Sequence, residues 1–251
     1  MAQTNRQIHL VSRPTQGPEL SNFGMVETPL PAPADGEVLL QTLYLSLDPY
    51  MRARMYEGAN YAANTPLNAP MVGTTISKVI ESRNDDYAVG DHVQTHSGWQ
   101  EFSVSDGKDL TKIAESIEPK TLALGALGLP GHTAYGALLR VGRPQKGETL
   151  LVSAASGAVG SVATQIGRIM GLNVVGIVGG EDKCRYIIDE LGASAAIDRN
   201  APNFAENLKA ACPNGVDIYF DNVAGDMALD VIDQMSDYGR YLVCGTISID
   251  R

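Results

Sequence analysis

Cysteine is scarce in this chain: Cys184, Cys212 and Cys244 are the only three in 251 residues, far apart and without a C-x-x-C spacing. A structural zinc site or a small disulfide framework would need closer or paired cysteines, so neither is indicated, and free thiols in a reducing compartment fit best. Runs of lysine and arginine are missing too. With 19 basic against 29 acidic residues the formal charge is -10, which argues against nucleic acid and anionic membrane as partners, since both need a basic footprint. No window approaches the ~18 apolar residues of a membrane span, and the opening MAQTNRQIHL has no apolar stretch of signal-peptide length. The expected location is the cytoplasm. What the chain does have is 44% hydrophobic residues, enough for a proper core in one large or two modest domains.

Residues 1–124 read as short strands and turns. Arg13-Pro14, Gly17-Pro18, the run from Pro29 to Pro33, Asp35-Gly36 and Asp48-Pro49 break regular structure, while Glu37–Leu45, Gly73–Ser82 and Gln100–Val104 have strand-like composition. This half is expected to be a small, barrel-like all-β domain. Near Glu115 the texture changes: Ser116 to Pro119 resembles a helix start, Thr121–Leu127 is a good helix former, Leu129-Pro130-Gly131 reads as a turn, and His132–Leu139 reads as another helix.

Beyond residue 148 strands and helices alternate. Strands are predicted at Thr149–Ala154, Asn173–Val178, Ala195–Ile197, Asp217–Asn222 and Arg240–Thr246, and helices at Ala158–Met170, Asp182–Leu191, Asn203–Ala211 and Asp226–Asp237. Such β-α alternation implies right-handed crossovers and a doubly wound parallel sheet. The first of these strands runs into SAASGAVGS, where Ala155, Gly157 and Gly160 fill the three small positions of a dinucleotide fingerprint. Gly157 would let backbone approach a pyrophosphate, and Gly160 would seat the helix that carries Ala158 and Val159 and whose N-terminus favours an anion.

In such folds the end of the second strand faces the adenosine ribose, and a carboxylate there repels a 2′-phosphate. Here the strand ends at Gly179-Gly180, with Lys183 three residues on and Arg185 and Arg199 as companions, a pattern that favours NADP. The alternative leaves Lys183 on a solvated helix face, with Glu181 or Asp182 on the ribose. The stretch Asp221-Asn222-Val223 and the run Cys244-Gly245-Thr246-Ile247-Ser248 fall at the carboxyl ends of the fourth and fifth strands, where ligands bind; as an alternative, both are ordinary strand-to-helix turns and Asn222 caps the next helix. His92 and His96 are four apart in a strand-like stretch, which does not bring them together, and His132 reads as a helix-start residue, so no metal site is expected.

The segments LSLDPYMRARM (45–55), GDHV (90–93), GWQEF (98–102), LGLPGHTAYGAL (127–138), AASGAVGS (154–161), YFDNVAG (219–225) and CGTIS (244–248) together resemble the medium-chain dehydrogenase/reductase superfamily, in its zinc-independent branch of NADP-dependent alkenal/enone double-bond reductases. The resemblance spans essentially the whole chain. It implies a GroES-like domain, 1–124, followed by a Rossmann domain, 125–251, and NADPH as cofactor. It also implies hydride transfer to the β-carbon of an α,β-unsaturated aldehyde or ketone, and a homodimer. By the same resemblance Gly157, Ala158, Val159 and Gly160 face the pyrophosphate and Lys183 the 2′-phosphate. Arg199 stands where some members have a tyrosine beside the adenosine. Asn222 and Cys244 to Ser248 line the rest of the cofactor, and Tyr50 and Thr133 sit near the nicotinamide or substrate.

Two departures stand out against the family pattern. Members usually follow CG-x-IS with a residue and then a tyrosine suited to stabilise an enolate, whereas Asp250 takes that place here. Members also continue into a sixth strand and a return to the first domain, so the expectation is a truncated product, a natural short form or a fragment completed by another chain. Two other readings stay open: a quinone reductase of the same superfamily, and a catalytically silent NADPH-binding protein.

Overall fold

In a computed structural model that describes residues 4–58 and 62–248, the chain divides after Leu124 into two units. The first is built from β1 (Thr4–Leu10), β2 (Phe23–Pro29), β3 (Val38–Leu45), α1 (Tyr50–Ala53), β4 (Ala69–Pro70), β5 (Thr75–Ser82), β6 (His92–Thr95), β7 (Phe102–Ser105) and β8 (Thr111–Lys112). They form two sheets with the orders β2-β1-β4 and β7-β3-β5-β6-β8, and every pairing is antiparallel. Alternate residues of the central strands, Val38, Leu40, Val79 and Val93, point into one core, as the two-residue side-chain period requires. A second core gathers Leu10, Met51, Met55 and Met71 beside the Phe23–Trp99 stack, with centroids 5.7 Å apart. Buried Asn5 knits the two sheets, donating from Nδ2 to the Phe102 carbonyl at 2.8 Å and accepting the Phe102 N–H at 2.9 Å.

The second unit contains α2 (Leu129–Tyr135), β9 (Thr149–Ser153), α3 (Ala158–Ile169), β10 (Asn173–Val178), α4 (Glu181–Asp189), β11 (Ala195–Asp198), α5 (Phe204–Ala211), β12 (Val216–Asp221), α6 (Asp226–Ile232) and β13 (Met235–Val243). Its five strands lie in the order β11-β10-β9-β12-β13 and are parallel throughout. Helices cover both faces: Leu150 and Val152 of β9 pack in one cluster with Ala134, Leu138 and Ala163, while Leu151 packs in another with Leu208 and Val231. Burying both faces explains why β9 is a continuous apolar run. Each fully buried leucine of β9 contributes about 1.5–3 kcal/mol, which anchors the strand that leads to the fingerprint turn.

Several predicted boundaries are corrected. Thr121–Leu127 is not a helix: only one 3-10 turn, Lys120–Ala123, forms, because the glycines that follow weaken a helix there. Leu129-Pro130-Gly131 is no turn but the first turn of α2, with Pro130 where its missing N–H costs nothing; after Tyr135 this helix widens into a π-helical segment, Gly136–Gly142. The last predicted helix stops at Ile232 instead of Asp237, and the last strand runs Met235–Val243 instead of Arg240–Thr246. Its SDYG stretch looks like a turn, but the chain accommodates it as an irregularity in the β12–β13 register, with Tyr238 at φ 62°. No helix among the described residues is long and apolar enough to cross a membrane.

Candidate functional site

The parallel sheet reverses its winding between β9 and β12, and at such a switch point the carboxyl ends of the strands open a crevice for ligands. The turn after β9 is tight. Ala154 adopts φ 48°, and the Gly157 N–H donates to its carbonyl at 2.8 Å. A Cβ on Gly160 would lie 2.2 Å from the Ala154 oxygen and 2.8 Å from Ala155 Cα, so only glycine lets α3 sit this close to the strand end. At Gly157 the only near neighbour of a Cβ would be the Ala154 oxygen, at 3.1 Å. Gly157 is also the N-cap of α3 and carries no capping side chain. The N–H groups of Ala158, Val159 and Gly160 therefore begin a twelve-residue helix with no side chain bonded across them, an arrangement that favours an anion.

After β10 the chain turns through Gly179 and Gly180, the latter at φ 93°. Asp198 at the end of β11 holds this turn, accepting the N–H groups of Gly180 and Asn200, both at 2.9 Å, and these bonds pull its carboxyl below the usual range. Arg199 leans over the turn, with Nε 3.2 Å from where a Cβ of Gly179 would be. Lys183 is exposed in the first turn of α4 and makes no ion pair among the described residues. Arg185, expected beside it as a companion, is instead paired with Asp182. Lys183 and Arg199 thus stand near the β10 end, neither in an ion pair among the described residues, with the Arg199 charge also felt by the Asp198 carboxylate.

On the other side of β9, the structure binds three stretches to one another. Asn222 donates its backbone N–H to Ser153 Oγ and its Nδ2 to the Ser153 carbonyl, both at 2.8 Å. Its side chain therefore bridges two strand ends rather than capping α6. The Asp221 carbonyl accepts the N–H groups of Cys244, at 2.8 Å, and Gly245, at 3.0 Å. A Cβ on Gly245 would be 2.8 Å from the Asn222 oxygen, so that glycine permits the contact. Ser248 closes the loop, donating its N–H at 3.0 Å and its Oγ at 2.7 Å to the Val223 carbonyl. Thr246 and Ile247 lie within this run. The Cys244 thiol is pushed up by burial and by the Asp221 charge, so it is not primed as a nucleophile.

The expected residues thus gather unevenly. Gly157 to Gly160, Asn222 and Cys244 to Ser248 share the carboxyl edge of the sheet; Lys183 and Arg199 flank the β10 end; half-buried Thr133 lies on α2, which packs against α3. Tyr50 belongs to the first unit, where it starts α1 and packs against the Met51 and Met71 cluster. Asp250 lies outside the described residues. Asp221 sits where the sequence puts it, beside Asn222 at the strand end, but its partners Ser153 and Tyr241 carry no site motif of their own. Their only signal is a polar residue at the end of an apolar strand, which has meaning once the strand order is known. His92 and His96 stand at the start of β6 and just past its end, and His96 Nδ1 is hydrogen-bonded to Thr74 Oγ1 at 3.1 Å. No three His, Cys, Asp or Glu side chains among the described residues come together as a metal-holding group.

Comparison with known proteins matches residues 6–113 to an N-terminal domain of oxidoreductase and residues 158–250 to a zinc-binding dehydrogenase family. The NADPH-dependent curcumin reductase of Escherichia coli (strain K12) is 45% identical over 246 residues, which are 98% of this chain and 71% of that protein. Prostaglandin reductase 1 of Oryctolagus cuniculus is 41% identical over 248 residues, 96% of this chain and 67% of that protein. The crystal structure of CurA in complex with NADPH from Vibrio vulnificus is similar with a TM-score of 0.93 at 44% identity, covering 97% of this chain and 72% of that one.

Proposed function

The chain belongs to the zinc-independent alkenal reductase branch of the medium-chain dehydrogenase/reductase family, and from that premise we propose an NADPH-dependent reductase of carbon–carbon double bonds in α,β-unsaturated aldehydes and ketones. Its fold is that of the family, a GroES-like β domain, taken as 1–124, and a Rossmann domain, taken as 125–251. The observation that carries the cofactor reading is the side-chain-free cradle at Gly157 and the N-terminus of α3, with the cations Lys183 and Arg199 at the neighbouring strand end, neither in an ion pair among the described residues. In a chain of charge -10 these local donors are what a polyanionic cofactor needs.

When bound, NADPH supplies the hydride that reaches the β-carbon of the substrate. The backbone of Gly157, Ala158, Val159 and Gly160 holds the pyrophosphate. Lys183 and Arg199 hold the 2′-phosphate, and Asn222, the run Cys244 to Ser248 and Thr133 line the rest. As negative charge develops on the substrate carbonyl oxygen, a hydroxyl donor must meet it, for which Tyr50 or the cofactor's ribose hydroxyl is the candidate, and a proton then completes the α-carbon. Asp250 cannot take that role while ionised, because a carboxylate repels an enolate. The family resemblance implies a homodimer built on a sixth strand that this chain does not carry, and sedimentation of the 251-residue chain tests whether it pairs.

The test is NADPH oxidation by the purified 251-residue chain with a panel of 2-alkenals and vinyl ketones, and NADH in parallel. Substrate-dependent consumption of NADPH is the expected result. A folded protein that binds NADPH and consumes none would overturn the reductase reading and leave a cofactor-binding one.

A further inference from the structure

Two of the stretches given to the cofactor converge on a buried carboxylate that has no part in holding it. Asp221 is fully buried at the end of β12. Its Oδ1 accepts hydrogen bonds from Ser153 Oγ at 2.7 Å, from the Val223 N–H at 2.9 Å and from the Ala224 N–H at 3.1 Å, while Oδ2 accepts from Tyr241 Oη at 2.8 Å. Four donors therefore meet one acceptor-only group. Burial pushes this carboxyl up, yet the bonds from Ser153, Val223, Ala224 and Tyr241 outweigh it and hold the group below the usual range, so it is ionised in the folded protein.

Through these bonds Asp221 reaches the neighbouring site residues. Ser153 Oγ, while donating to Asp221, accepts the Asn222 N–H. The Ser153 carbonyl takes the Asn222 amide NH2, so that among the described residues the Asn222 side-chain oxygen is the end of the amide left to accept from a donor. The Asp221 main-chain carbonyl fixes Cys244 and Gly245. The pull on Val223 and Ala224 holds Ala224 at φ 60°, a conformation that alanine adopts at a cost. All of this lies on the β12–β13 side of β9, whereas Lys183 and Arg199 lie beyond the β10 end on the other side. In a fold with one mononucleotide per half, the two sides serve different halves of a dinucleotide.

We propose that Asp221 is a positioning residue for the nicotinamide half of the cofactor, setting Asn222 and the run Cys244 to Ser248 in place through Ser153 and its own main chain. The inference rests on the NADPH reading above. An amide at this position would turn an NH2 toward groups that already donate, so its isosteric replacement misplaces these partners without emptying the site. A residue that merely held the fold would act on both halves alike.

The experiment titrates the 251-residue chain, Asp221→Asn and Ser153→Ala with two probes, NADPH and adenosine 2′,5′-bisphosphate, which carries only the adenosine half. The expected result is a loss of about tenfold in NADPH affinity for Asp221→Asn with less than about twofold change for the bisphosphate, and the same split for Ser153→Ala. If Asp221→Asn does not fold, Ser153→Ala carries the comparison by itself. Equal losses for both probes, or none for NADPH, would overturn the positioning role. Wild-type chain that binds neither probe would instead overturn the cofactor reading and this inference with it, and the two failures are distinguished by the wild-type titration.

Discussion

Arg240 on β13 grips Glu148, just before β9, with two parallel hydrogen bonds, Nη1 to Oε1 at 2.9 Å and Nη2 to Oε2 at 2.5 Å, and its Nε donates to the Gly142 carbonyl at 3.0 Å. The pair reaches across β12 and ties the outer strand of the sheet to its centre. With the two side chains 30% and 20% exposed, the forked geometry is worth more than a solvated surface pair. Its bonds hold the Glu148 carboxyl below its ordinary 4.5. A depressed folded value means stability that is present above about pH 4.5 and lost as pH falls through the folded value. Glu148→Gln is expected to cost about 1–2 kcal/mol at pH 7 and less at pH 3, as denaturant unfolding at the two pH values will show.

Tyr241 gives the opposite sign. Burial first, then its bond to Asp221, push its hydroxyl from 10 up to about 12. A raised folded value means stability that is complete below pH 10 and is lost as pH rises through about 12. Unfolding free energy measured from pH 9 to 12 should therefore fall less steeply in Tyr241→Phe than in the wild type; equal slopes would contradict the assignment.

The two fingerprint glycines are expected to fail in different ways. Gly160→Ala drives a methyl to 2.2 Å from a backbone oxygen, so α3 must shift, lowering stability by about 1–3 kcal/mol. At Gly157 the nearest atom is 3.1 Å away, so Gly157→Ala should leave stability within about 1 kcal/mol while blocking phosphate approach. Thermal melts with and without NADPH separate the two: in the wild type, cofactor at a hundred times its Kd adds about 2.7 kcal/mol, and both variants should lose most of that gain.

Lys183→Ala should weaken NADPH by about five- to tenfold and leave NADH nearly untouched, because the exposed ammonium meets only the extra phosphate. Isothermal titration with both cofactors reads this directly, and an equal loss for the two would remove Lys183 from the 2′-phosphate.

The parallel half of the fold was legible because its strands are buried on both faces: NVVGIV and TLLVS are apolar runs that end at glycine or small-residue turns, and β10 spans the predicted residues. Where polar residues interrupt a strand the sequence misleads. Ser236 and Asp237 read as the end of a helix predicted through Asp237, and only pairing with β12 makes them part of β13. In the site, Gly157, Gly160 and Asn222 could be found because local spacing marks them. Asp221 is marked as a strand end in the same way, but its tie to Ser153 is not. That tie is a contact between residues 68 positions apart, and no local pattern encodes which strands will be neighbours.

That separation also sets an order of assembly. β9, α3 and β10 adjoin in sequence and can form the fingerprint turn from contacts close along the chain, whereas the pairing of β12 with β9 spans three intervening helices and two strands. Contacts of long sequence separation are paid for in loop closure before they return any free energy. The phosphate cradle can thus exist in a chain still folding, but the Asn222 side of the crevice closes only with the long-range step. A nascent chain would be able to grasp an anion before it could orient the rest of a dinucleotide.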